Sequence, residues 1–238
     1  MKHLDDGISL KQQHFIESVL DLCKLSECKQ VSTPLTAKDH LEPEADLKIK
    51  ELHKLRINYR STIGSIRFLI TATRPDLLFA VSALSQHLEK PGIKHWKEFK
   101  HVSRYLLGMQ EIGPHYTRSN KKGVKAFSKA NRGNGRITRR SVTEYITCLH
   151  NNLVIWKTNE QPSVYISTAE AEYKALCDLT SELLWLKQWC KEEQIFKITN
   201  PITIYEYNQS LIKVENGDSN INNKRMKHID IQSHSVKE

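Results

Sequence analysis

Hydrophobic residues recur at helical spacing along the first 110 positions. Phe15, Ile16, Val19, Leu20 and Cys23 fall three and four apart, which predicts a helix over 12–25. Ile63, Ile66, Phe68, Leu69 and Ile70 predict a second helix over 59–72. Arg74-Pro75 interrupts it, because the residue before a proline is pushed out of the α region. A third helix begins at Asp76 and ends near Leu88, ahead of Pro91-Gly92. A fourth runs from about Lys94 to Met109, with Trp96, Phe99, Val102, Tyr105 and Leu106 on one side. Between the first two, residues 31–55 carry Thr33-Pro34, Glu42-Pro43 and mixed charge, and read as an exposed connector.

The pattern changes near Gly113-Pro114. Short alternating or β-branched runs follow and predict strands at Val124–Ser128, Thr143–His150, Leu153–Lys157 and Ile202–Tyr207. Asn151-Asn152 is placed as the two-residue turn of a hairpin. Between Ser167 and Gln194 the positions Leu176, Leu179, Leu183, Leu186 and Cys190 make one apolar stripe, the signature of a long amphipathic helix. Polar sequence from Asn216 to Asn223 and a short terminal helix close the chain. The expected fold is α/β: a mostly helical region over 1–120, then a domain over 121–238 with a mixed sheet and a long helix.

Composition narrows the class. The chain has 238 residues, 39% of them hydrophobic, enough to bury a core. No apolar run approaches the roughly 18 residues of a membrane span, so no membrane partner is expected. The opening Met1-Lys2-His3-Leu4-Asp5-Asp6 has no apolar stretch of the secretory kind, which leads to the expectation of an intracellular protein. Cysteines 23, 28, 148, 177 and 190 form no Cys-x2-Cys pair and read as reduced thiols.

The net charge of +9 is concentrated. Nine basic residues and no acid lie between Arg118 and Arg140: Arg118, Lys121, Lys122, Lys125, Lys129, Arg132, Arg136, Arg139 and Arg140. Such a stripe suits a phosphate backbone, because neutralising phosphates releases condensed counterions. Zinc spacing, a phosphate loop and a Gly-x-Ser-x-Gly elbow are all missing from the sequence, and no small-molecule substrate is expected. Glu172 does carry a chemical signal. It lies four residues before Leu176, about 40° around the helix, and so belongs to the apolar stripe, whereas Glu170 is about 120° away. A carboxylate there either supports the helix N-terminus or serves chemistry.

Several blocks resemble the Copia-type (Ty1/copia) retrotransposon polyproteins. Val31-Ser32-Thr33-Pro34-Leu35, Tyr59-Arg60-Ser61-Thr62-Ile63-Gly64-Ser65, Ala72-Thr73-Arg74-Pro75-Asp76-Leu77, His95-Trp96 and Arg104-Tyr105-Leu106 are similar to the region after that family's polymerase palm. Thr138-Arg139-Arg140-Ser141, Val154-Ile155-Trp156-Lys157, Ser167-Thr168-Ala169-Glu170-Ala171-Glu172-Tyr173 and Lys227-His228-Ile229-Asp230-Ile231 are similar to its ribonuclease H domain. The resemblance implies a thumb and connection region to about residue 120 without the palm or the polymerase signature, then an RNase H-like domain.

That domain type cleaves RNA in RNA–DNA hybrids with two Mg²⁺ ions held by carboxylates. Carried over residue by residue, the resemblance sets Lys129 where the first-strand aspartate stands, Asn131 at a second aspartate, and Tyr207 at the aspartate of the later strand. Only Glu172 is retained, and the fourth acidic position would follow the His228-Ile229-Asp230 block past residue 238. Lys129 is expected to bring an ammonium against any ion, and Glu206 to point away from the site because adjacent strand residues face opposite ways. The expectation is therefore a degenerate, truncated RNase H-like domain with no metal and no cofactor, without nuclease activity. It would bind hybrid or other nucleic acid weakly through Lys121, Lys122, Lys125, Arg132, Arg136, Arg139 and Arg140. A non-catalytic interaction module, a functionless relic and an active RNase H with a different metal site are the rival readings. Without a palm to cover them, Ile63–Ile70 and Leu77–Leu84 are expected to expose apolar surface unless the two halves cover each other, and so to favour self-association.

Overall fold

The computed structural model describes residues 1–23, 25, 27–36, 41–118, 123–131, 138–198, 201–208 and 211. They fall into two units, Met1–Arg118 and Ser119–Glu238. The first runs β1 (Lys2–Leu4), β2 (Gly7–Ser9), α1 (Gln13–Leu22), α2 (Asp46–Lys54), α3 (Tyr59–Ala72), α4 (Leu78–Ser85), α5 (Ile93–Gly108) and β3 (His115–Thr117). Helices α1, α3 and α5 form where the apolar spacing predicts them. Asn58 caps α3, its side-chain oxygen accepting from the Ser61 amide at 3.0 Å. The three short strands make an antiparallel sheet in the order β1-β2-β3 that the pattern did not show, since three residues carry too little alternation to read.

Three expectations for this unit are corrected. Ile63, Ile66, Leu69, Leu77 and Leu84 are not exposed; they form one core with Ile16 and Leu20 of α1 and Phe99, Val102 and Leu106 of α5. Full burial of each such side chain contributes about 1.5–3 kcal/mol, so this unit covers its own apolar faces. Only Phe68 and Phe79 among the large apolar side chains of those stretches remain open. Residues 31–55 are not simply an exposed connector either. Val31, Leu35 and Leu41 pack on the core, the Thr36 hydroxyl donates to Glu98 at 2.8 Å, and α2 forms with Leu52 buried. A polar helix with one buried anchor has no stripe to betray it. The third predicted helix is also shorter. It starts with a 3-10 turn at Pro75–Leu77 and stops at Ser85, after which His87 stacks on His95 with ring centroids 3.9 Å apart.

The second unit runs β4 (Val124–Asn131), β5 (Val142–Leu149), β6 (Asn152–Glu160), α6 (Thr168–Glu192) and β7 (Thr203–Glu206). Its mixed sheet has the order β6-β5-β4-β7, with β4, β5 and β6 antiparallel and β7 parallel to β4. The hairpin turn is His150-Asn151, one residue earlier than expected. Both residues have positive φ, 52° and 65°, as a turn matched to strand twist requires, and Asn152 instead opens β6 opposite Leu149. The stripe of α6 packs Leu179, Leu183, Leu186 and Cys190 on Val124, Ala126 and Tyr145. Along β4 burial alternates strictly, so Val124, Ala126, Ser128 and Ala130 face α6 while Lys125, Phe127, Lys129 and Asn131 face outward.

All five cysteines are free thiols, and among the described residues no helix is long and apolar enough to cross a membrane. The polar stretch 216–223, the terminal helix and the Lys227–Ile231 block lie outside the described residues. Ser167 caps α6: its hydroxyl accepts from the Glu170 amide at 3.1 Å while the Glu170 carboxylate accepts from the amides of Ser167 and Ile166. Ser167→Ala is expected to lower stability by about 1 kcal/mol, read as a drop in thermal midpoint. An unchanged midpoint would show that Glu170 alone secures this end.

Candidate functional site

The capping arrangement settles which glutamate does what. Glu170 satisfies the helix end, and Glu172, one half-turn on, points into the sheet with only 5% of its surface exposed. Its Oε2 accepts the backbone N–H of Ala130 on β4. Burial pushes the Glu172 carboxyl up to about 7; the Ala130 hydrogen bond opposes the rise, the nearby Glu206 charge adds to it, and the more weakly felt Lys129 opposes it.

Glu206 is the residue that sequence reasoning placed on the wrong side. Adjacent residues of β7 do face opposite ways, but the inward register belongs to Ile204 and Glu206. Ile204 packs against the α6 core, so Glu206, two residues on, lies on the Glu172 side, opposite Ser128 in the β4 pairing. Tyr207, which follows the strand end, is 88% exposed and takes no part. The signal was present in the apolar alternation of Ile202 and Ile204, which continues to position 206 rather than 207. Glu206 Oε1 accepts from the amides of Tyr207 and Asn208 at 2.8 and 2.9 Å, whereas its buried Oε2 has no hydrogen-bond partner among the described residues. The buried hydroxyl of Ser128 has none among them either. Burial raises the Glu206 carboxyl as well, against those two amide bonds.

Lys129 acts on Glu172 only as a weakly felt charge. It stands on the outer face of β4, opposite Glu144 of β5, because the residues flanking it are the ones turned toward α6. Asn131 shares that outer face at the strand end. The inner corner therefore holds two carboxyl groups that both retain protons more tightly than an exposed glutamate. Among the described residues no group of three or more His, Cys, Asp or Glu side chains converges in a way that could hold a metal ion. A pair of Mg²⁺ ions needs several ionised oxygen ligands, and this donor set does not fit them.

The basic residues are divided. Lys125 projects from the outer sheet face, and Arg139 is exposed on left-handed backbone at φ 54°. Arg140 is partly engaged, its guanidinium 3.9 Å from Glu160, which also accepts from Thr138. Lys121, Lys122, Arg132 and Arg136 lie outside the described residues.

Comparison with known proteins adds an independent line. The chain is 30% identical over 96% of its length to the retrovirus-related Pol polyprotein from transposon TNT 1-94 of Nicotiana tabacum, covering 17% of that protein. It is 29% identical over 99% of its length to the retrovirus-related Pol polyprotein from transposon RE2 of Arabidopsis thaliana, covering 16%. An uncharacterized mitochondrial protein of Arabidopsis thaliana is 32% identical over 75% of this chain and 72% of its own. The chain thus spans about a sixth of the length of the Pol polyproteins it matches. No family model and no solved structure matches it.

Proposed function

The chain belongs to the Copia-type retrovirus-related Pol polyproteins, and from that premise we propose that its second unit is an RNase H-like domain without nuclease chemistry that still contacts nucleic acid. The observation carrying this reading is the corner between α6 and β4. There Glu172 is tied to the Ala130 amide and lies near the Glu206 charge, while the positions that the family resemblance gives to aspartates hold Lys129, on the outer face, and the exposed Tyr207. Hybrid cleavage by two metals needs a cluster of several ionised carboxylates, and two glutamates alone do not supply one. The basic stretch 118–140, with no acid in it, supplies the contact to phosphates.

A labelled RNA–DNA hybrid incubated with purified protein and Mg²⁺ or Mn²⁺ tests the first half. No cleavage is expected near pH 7–8 from either the parent or Glu172→Gln. Metal-dependent cleavage that vanishes in Glu172→Gln would make Glu172 a working ligand and the protein an active nuclease. Binding of the same hybrid across a salt series tests the second half. Affinity is expected to fall steeply with salt, and Arg139→Gln to reduce the slope of log affinity against log salt by about 1. Arg140→Gln should reduce it less, since Glu160 already occupies that guanidinium. Binding that is flat in salt would remove the electrostatic reading.

A further inference from the structure

The face of the second unit's sheet that is turned away from α6 has a composition that packing does not account for. Tyr205 of β7, Phe127 of β4, Ile146 of β5 and Trp156 of β6 are successive cross-strand partners, so they form one row across all four strands. The Phe127 and Tyr205 rings lie nearly parallel, 15° apart with centroids at 4.7 Å. Phe127 is 40% exposed, Tyr205 45% and Ile146 39%. Lys125 and Lys129 stand two residues to either side of Phe127 on the same face. Their strand neighbours are Thr203 and Cys148 beside Lys125, and Glu144 beside Lys129.

We infer that this row is a stacking platform for the unpaired bases of single-stranded nucleic acid, with the phosphates running past Lys125. The inference rests on the nucleic-acid contact proposed above and names the form of nucleic acid. A duplex keeps its bases stacked on one another and offers only edges and phosphates, whereas an unpaired base presents a flat face that an exposed aromatic ring can cover. Aromatic rows on an open sheet flanked by cations match that chemistry. The charge around them agrees: β4, which carries Phe127 at its centre, lies within the stretch of nine basic and no acidic residues. Glu144 opposite Lys129 makes the Lys125 side the better path for phosphates.

The test uses the whole chain and two labelled ligands of about twelve units, an oligouridylate and an RNA–DNA hybrid, in fluorescence anisotropy across salt. Phe127→Ala and Tyr205→Ala are each expected to weaken single-strand binding about tenfold. Their salt slopes and hybrid affinities should stay as in the parent. Phe127→Trp should retain single-strand binding and Phe127→Leu should lose it, although leucine also covers the sheet; this pair separates stacking from a folding defect. Lys125→Gln should lower the single-strand salt slope by about 1. Aromatic variants that bind the single strand like the parent, with hybrid binding intact, would overturn the platform and leave the electrostatic contact standing. A parent that binds neither ligand would overturn both. A parent dimer that Phe127→Ala turns into a monomer would assign the face to a second copy of the chain and overturn the platform.

Discussion

Asp76→Asn is expected to destabilise the first unit by about 3–5 kcal/mol, one of the largest single effects in the protein. Arg74 is completely buried, and its guanidinium is held by hydrogen bonds, an ion pair and an aromatic ring. Its Nε and Nη2 donate to the Asp76 carboxylate at 2.9 and 2.7 Å, its Nη1 donates to the Met109 carbonyl at 3.0 Å, and it lies 5.6 Å from the centroid of the Tyr105 ring. Removing the carboxylate strands a cation that has no route to water, and a stranded buried charge costs several kcal/mol. The Asp76 side chain is 28% exposed, so the reverse change, Arg74→Met, leaves an acid that water can still reach and should cost less. The double variant Arg74→Met/Asp76→Asn should lose less than Asp76→Asn alone, because it leaves no buried charge. Calorimetric unfolding of the three variants checks the ranking. Equal losses from both single changes, unrelieved in the double, would mean that side-chain packing rather than charge burial holds this corner.

The second large effect has the opposite sign at neutral pH. Glu172 is held at about 7 in the fold against an ordinary 4.5, with burial as the main cause. Between those values the folded chain keeps a proton that the unfolded chain has released, so stability must fall as pH rises through the window. Below about 4.5 both states are protonated and nothing is lost; above about 7 the full cost, about 3 kcal/mol, is present. Glu172→Gln keeps a carbonyl oxygen for the Ala130 amide and can donate toward Glu206, so it should raise stability by up to that amount at pH 8 and flatten the profile from pH 4.5 to 7. Because Glu206 is raised by burial too, the parent profile belongs to the pair. Thermal midpoints across pH for parent and variant decide it. Parallel curves would show that Glu172 is ionised throughout and solvated better than its burial implies.

Both predictions start from residues that the amino-acid pattern singles out unaided. Arg74 and Asp76 lie in the Arg74-Pro75-Asp76 block, and Glu172 sits on the apolar stripe. What each does was less legible. The block read as a helix break, which it is, but nothing local announces that the arginine turns inward to bond a carbonyl 35 residues away. Glu172 was located by helical period, a local property that survives folding. Glu206 was missed because the facing of a strand depends on its register with β4, set by Ile204 against α6 and not by its own neighbours.

The same division runs through the whole protein. Helices α1, α3, α5 and α6, the strand–strand–strand–helix–strand order of the second unit and the basic stretch 118–140 follow from periodicity, capping and composition, which act within a few residues. The family is legible in the same way, through short blocks that follow one another in order along the chain. Side-chain facing across the sheet, the burial of Ile63–Ile70 within their own unit, the turning of Lys129 away from Glu172 and the aromatic row on the outer face depend on partners far away in sequence. Those contacts exist only once the strands pair and the helices close on them, because burial and register are properties of the packed chain rather than of any one segment of it.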